Sequence, residues 1–290
     1  MGYLFLTLAL IGGLGKGFLG KYISNDVNNF RECIVVNALR MFFCSLVGAV
    51  VALPTSGLQI VTGYGLVICM LSAVSMTAFC VCWLYAYKTE AYMFLSVFTM
   101  LGTVITCLLS RIFLSEAIKP LQWLGMALVL IAIYIMSLYN KAINGKISVK
   151  GIAILLIGCL GSAVADFCQK LWVINVKLDG TVFNFYMYLF SLLILLLIFI
   201  VLPKESQQSN IMNKKYIIIC FFISMFLYMN SFSKTIAAVF LPSAQIYPVL
   251  QGANLICSAI LARILLKEKI TVKSVIGMVI AFVAIIIMKL

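Results

Sequence analysis

A handful of polar side chains interrupt an otherwise apolar chain, and their spacing places them on single helix faces. Tyr247, Gln251, Asn254 and Ser258 recur at intervals of four, three and four residues, which is one side of a helix. Ser162, Asp166 and Gln169 form a similar stripe, and Asn230 and Lys234 are one turn apart. Lys16, flanked by Gly15 and Gly17, and Arg40 are cations within apolar runs. A charge inside a membrane span costs about 2.5–3.5 kcal/mol on insertion scales, so each needs a reason. The chemistry available to these groups is recognition. Amides, hydroxyls and a phenol hydrogen-bond a solute, the cations attract an anion, and Asp166 either pairs with Lys234 or carries a proton. The candidate substrate-binding residues are therefore Asp166, Gln169, Asn230, Lys234, Tyr247, Gln251, Asn254, Lys16 and Arg40. The plainer alternative is hydrogen bonding between helices, worth about 0.6 kcal/mol per contact on average.

Catalysis is a poor fit. The chain has no histidine, which removes the commonest general base and metal ligand. No span carries paired carboxylates. The ten cysteines sit mainly in apolar runs, and their spacing matches no zinc or disulfide framework. The run from Gly12 to Gly20, GGLGKGFLG, lacks the strand-to-helix context and Lys-Ser/Thr ending of a phosphate loop. Neither an enzyme, a cofactor nor a bound metal is expected.

The elements that position these residues follow from composition. The chain is 64% hydrophobic and 10% charged, with a mean hydropathy of +1.18. Soluble domains carry about 25% charged residues. So apolar a chain cannot cover a wet surface, and its solvent is lipid. The net charge of +13 lies mostly in short gaps between apolar runs, where anionic head groups attract it. The bilayer, not nucleic acid, is the expected partner. A helix needs about 20 apolar residues to span. Runs of that kind occupy 3–23, 32–53, 60–87, 91–113 and 120–139, then 150–173, 181–202, 215–237, 241–265 and 272–289. Helices alone satisfy the backbone in lipid when no alternating barrel pattern is present. The expected fold is all-α, with ten transmembrane helices.

The chain also repeats itself. LSRIFLSEAIKPLQWLGMALVLIAIYIMSL at 109–138 aligns with LARILLKEKITVKSVIGMVIAFVAIIIMKL at 261–290. Arg111 matches Arg263, Glu116 matches Glu268, and Gly125-Met126 matches Gly277-Met278. Gly12, Phe18 and Lys21 fall against Gly161, Phe167 and Lys170. Chance apolar similarity does not align charges and glycines together, so the chain is a duplication with halves 1–140 and 150–290. Five helices per half is an odd number, so the halves are inverted, and inverted repeats place a solute site near the midplane at their interface. Projected through the repeat, Ser162, Asp166 and Gln169 fall on Gly13, Gly17 and Gly20, while Asn230 and Lys234 fall on Ala78 and Cys82. The second half is expected to recognise and the first to leave room. Lys21 and Lys170, near helix ends, are expected to snorkel to head groups. Glu116 and Glu268 are expected to serve helix ends.

Both halves carry R-I-x-L-x-E-x-I, at Arg111 to Ile118 and Arg263 to Ile270, followed by Gly and a last apolar helix. With the two five-helix halves, this resembles the drug/metabolite transporter superfamily, specifically its EamA-type ten-helix members, over the whole chain. The resemblance implies secondary transport, often export, of metabolites such as amino acids, or of drugs, across a bacterial inner or plasma membrane. It also implies cytoplasmic termini. Loop charge argues the reverse: Lys141, Lys146, Lys150, Lys204, Lys214, Lys215, Arg263, Lys267, Lys269 and Lys273 all lie opposite the termini, and positive loops face the cytoplasm. No ATP-binding motif is present, so the drive is an ion gradient, with protons as the candidate coupling ion, or the solute's own gradient. A mixed set of one acid and several bases is compatible with a zwitterion. The alternative within the same fold is a lipid or lipid-linked sugar flippase with a head-group site near Lys16 or Arg40.

Overall fold

A computed structural model describes residues 2–55, 57–144, 149–176, 178–203 and 213–289. Lys146 and Lys204, two of the loop cations, lie outside them. The described residues form ten helices: α1 Gly2–Ser24, α2 Phe30–Thr55, α3 Gly63–Thr89, α4 Tyr92–Leu114, α5 Pro120–Asn144, α6 Val149–Asn175, α7 Gly180–Val201, α8 Lys214–Phe240, α9 Ser243–Ile264 and α10 Val272–Lys289. Nine are long and apolar enough to cross a membrane, and α10 has an apolar stretch, Val272–Met288, just short of that length. Several helices outrun the apolar runs that announce them; Pro54 and Thr55, read from sequence as a gap, close the last turn of α2. Polar end residues continue the helix because head groups and water still satisfy its terminal carbonyls.

The chain is an all-α integral membrane protein of two inverted five-helix repeats, and the helix pairing displays the symmetry. α1 packs on α8, α3 on α6, α2 on α7, α4 on α9 and α5 on α10. Exchanging the halves interchanges the α1–α8 and α3–α6 contacts and returns each of the other three to itself. Large apolar side chains left at the outside, such as Val50 at 70% and Val201 at 84% exposure, face the region that lipid fills.

The repeated sequence motif builds the same turn twice. α4 and α9 are each followed by a left-handed residue, Ser115 (φ 53°) and Lys267 (φ 54°). The next amide then reaches back six residues: Glu116 N–H donates to Ser110 O at 3.4 Å, and Glu268 N–H to Ala262 O at 3.1 Å. This closes a helix end by reversing the chain. The glutamate side chains then serve other helices. The Glu268 carboxylate accepts from the amides of Tyr92 at 2.6 Å and Met93 at 3.1 Å, at the α4 N-terminus, where a helix presents unpaired N–H groups and favours negative charge. Glu116 pairs with Lys170 at 3.7 Å.

Lys21 and Lys170 do not snorkel. Lys21 Nζ donates to the carbonyls of Tyr87 and of Glu90, the latter at 2.9 Å, at the end of α3. Lys170 Nζ donates to Ala238 O at 3.0 Å and Leu241 O at 2.9 Å, at the end of α8. Each lysine thus caps the corresponding helix of its half. The sequence places both near a span end, and the exposed carbonyls of the neighbouring helix compete with head groups for the ammonium. Glu268→Ala is expected to cost about 2 kcal/mol, the scale of charge-assisted hydrogen bonds, seen as a lower unfolding temperature in detergent. Glu116→Ala should cost clearly less, because its pair is longer and its side chain is 21% exposed.

Candidate functional site

Close helix contact opens the site. Gly12 lies against α8 so tightly that an added Cβ would sit 2.6 Å from Phe226 O and 2.7 Å from Asn230 N. This crossing brings the next turn of α1, with Lys16, level with the polar face of α8. Gly161 does the same for α6 against α3, with Ser75 O 2.6 Å from the added carbon. Between the two crossings lies a cavity of about 80 Å³, walled by α1, α3 and α4 of the first half and α6, α8 and α9 of the second. That is below the roughly 300–1,000 Å³ of drug-sized sites, so the cavity suits a compact solute.

Seven of the nine candidate residues from the sequence line this cavity: Lys16, Asp166, Asn230, Lys234, Tyr247, Gln251 and Asn254. Asp166 and Lys234 form an ion pair between α6 and α8. Tyr247 of α9 donates to the Asp166 backbone carbonyl at 2.7 Å, which ties the third helix to the pair. Lys16 Nζ donates to Asn230 Oδ1 at 2.8 Å, and Asn230 Nδ2 returns to Ala9 O at 2.6 Å. Thr99 of α4, the repeat counterpart of Gln251, has its hydroxyl 3.4 Å from Gln251 Oε1. Asn254 Oδ1 is buried with no hydrogen-bond partner among the described residues. α9 runs unbroken through Pro248.

Gln169 and Arg40 are buried but do not line the cavity. Gln169 Nε2 donates to Ser231 Oγ at 3.0 Å, and Ser231 donates in turn to Asn184 Oδ1 at 2.7 Å, a chain joining α6, α8 and α7. Arg40 lies on α2, which packs outside the six cavity helices; it donates to Asn37 Oδ1 at 2.8 Å on its own helix. A stripe read from spacing has an angular width, and Gln169 sits on the edge of it that turns toward α7.

The first half supplies more than room. Gly13 and Gly17 do keep space open, since a Cβ on Gly17 would come within 2.6 Å of the Tyr92 hydroxyl. Yet Phe79, Trp83 and Tyr87 of α3 and Tyr92 of α4 form an aromatic wall. Ring centroids are 5.3 Å apart for Phe79 and Trp83, 6.5 Å for Trp83 and Tyr87, and 5.9 Å for the stacked Tyr87 and Tyr92. Projecting Asn230 and Lys234 through the repeat points to Ala78 and Cys82, whereas α3 presents the next residues, Phe79 and Trp83. One position is about 100° of helix rotation, so α3 is turned relative to α8. The available signal was an aromatic every four residues, at 79, 83 and 87. Among the tyrosines of α3 and α7, Tyr87 lines the cavity, Tyr85 is 46% exposed, and Tyr188 is fully buried in the packing of α7 on α8.

Among the described residues no cluster of His, Cys, Asp or Glu could hold a metal. The arrangement offers charge, hydrogen-bonding groups and ring faces, and it lies where two halves of opposite orientation meet.

Comparison with known proteins agrees with this architecture. The sequence model of the EamA-like transporter family matches residues 2–138 and again 149–290. No curated protein matches at a significant level. A solved structure described as "Crystal structure of protein" superposes with a TM-score of 0.70 at 10% sequence identity, covering 99% of this chain and 95% of its own. A likeness at that identity shows the fold alone.

Proposed function

This chain belongs to the EamA-like transporter family, a membrane transporter family of the drug/metabolite type, and from that premise we propose that it is a secondary carrier of small metabolites. It exports amino acids or similar small polar or amphipathic solutes across a bacterial inner or plasma membrane. The observation that carries this reading is the cavity itself, built from three helices of each inverted half and holding Lys16, Asp166 and Lys234 away from lipid. Charges in that position are costly unless they meet one another or a solute. Inverted halves have two packings of similar energy, and rocking one against the other opens the site to either side in turn. Protons are the coupling ion in this reading, with Asp166 as their carrier.

The test is flux in proteoliposomes holding the full chain, over a panel of amino acids, amines and organic acids, with and without a pH gradient. Saturable, gradient-stimulated uptake of one solute class is expected. Silence across the panel by folded protein would overturn the carrier reading and favour a lipid substrate.

A further inference from the structure

The charges in the cavity do not balance, and the imbalance names a substrate class. Three charged side chains line it: Lys16, Asp166 and Lys234. Asp166 is engaged by Lys234. The ion pairs among the described residues are this one and Lys170–Glu116, so Lys16 has no carboxylate partner there. Its contacts are neutral: Asn230 Oδ1 at 2.8 Å and the Phe79 ring, whose centroid is 5.8 Å from Nζ. An ammonium held off water by an amide and a ring face is poorly compensated, and an anion from the ligand would complete it. Next to it the rings of Phe79, Trp83 and Tyr87 continue along one face of α3, an apolar surface suited to a flat body.

We propose that the cavity takes a compact organic monoanion, with its carboxylate on Lys16 and a planar apolar body along the Phe79–Trp83–Tyr87 wall. The inference rests on the carrier reading and narrows its solutes to anions, setting amino-acid zwitterions aside. A cation would meet two lysines and an acid already paired. The ammonium of a zwitterion would have to draw Asp166 away from Lys234. A monoanion needs neither change.

Three planar isosteres of different charge test it: benzoate, neutral benzamide and cationic benzamidine. Trp83 lies in the wall, so binding is read as quenching of its emission in the purified full chain, with Trp83→Phe as the blank. Benzoate is expected to bind at least tenfold more tightly than benzamide, with benzamidine weakest. Lys16→Met should abolish that preference, and Lys16→Arg should keep it. The proposal is overturned by the absence of saturable benzoate binding, by benzamidine binding as well as benzoate, or by a tenfold preference that survives in Lys16→Met. Should Lys16→Met fail to fold, the ranking of the three ligands on the unaltered chain decides. Counterflow of labelled benzoate in proteoliposomes separates the two readings. If benzoate binds and neither it nor any solute of the panel is moved, the carrier falls and the anion site stands. An amine or zwitterion moved in preference to benzoate sinks the anion site and leaves the carrier.

Discussion

Lys234→Met and Asp166→Asn are each expected to abolish flux, and Lys234→Met to lower stability by about 3–5 kcal/mol, the scale for stranding one member of a buried ion pair. Asp166 and Lys234 join α6 to α8 within the cavity wall, and the Asp166 backbone also holds the Tyr247 hydroxyl. The double variant Asp166→Asn/Lys234→Met separates structure from function. With both charges removed neither member of the pair is left stranded, so the unfolding temperature should return most of the way to that of the unaltered chain. Flux should not return, because the proposed proton carrier is gone. Recovery of flux together with stability would show the pair to be only a brace between helices. That outcome would remove Asp166 as the proton carrier.

Gly12→Ala and Gly161→Ala should both cost about 1–3 kcal/mol and most of the flux, the range for overpacking a close contact. In each case the new methyl meets backbone atoms, Phe226 O at 2.6 Å and Ser75 O at 2.6 Å, and backbone cannot rotate aside as a side chain can. The helices must part, and the parts that move carry the site. Asn230, whose backbone nitrogen is 2.7 Å from the Gly12 methyl position, receives the Lys16 hydrogen bond. Phe79, whose nitrogen is 3.0 Å from the Gly161 position, begins the aromatic wall. Gly102→Ala is the control: its methyl would rest 3.4 Å from Cys159 O, so folding and flux should be nearly unchanged. Thermal unfolding in detergent and proteoliposome uptake, measured side by side, check all three. Equal tolerance at the three positions would mean that the two crossings are not tight in the membrane.

Much of the architecture is legible in the sequence for simple reasons. Lipid demands long apolar helices, so ten runs announce ten spans. A duplicated gene leaves charges and glycines at fixed offsets, as with Arg111 and Arg263 or Glu116 and Glu268, and an odd number of spans per half dictates inversion. Helical period alone placed Tyr247, Gln251 and Asn254 on one face, and the cavity uses that face.

The tertiary structure decided everything that depends on which face meets which. Position along the span separates Lys16, which faces the cavity, from Lys21, five residues later, but only packing turns Lys21 onto the end of α3 rather than toward head groups. Gln169 shares a stripe with Asp166 yet hydrogen-bonds Ser231 of α8 outside the cavity, and Arg40 belongs to a helix outside the cavity. The rotation of α3 by one position replaced Ala78 and Cys82 with Phe79 and Trp83. Partners such as Lys16 and Asn230 stand 214 residues apart, and their meeting depends on the approach that Gly12 permits between α1 and α8. A sequence specifies the face that a side chain occupies on its own helix, while the rotation and closeness of neighbouring helices, set by packing across the whole bundle, determine what that face touches.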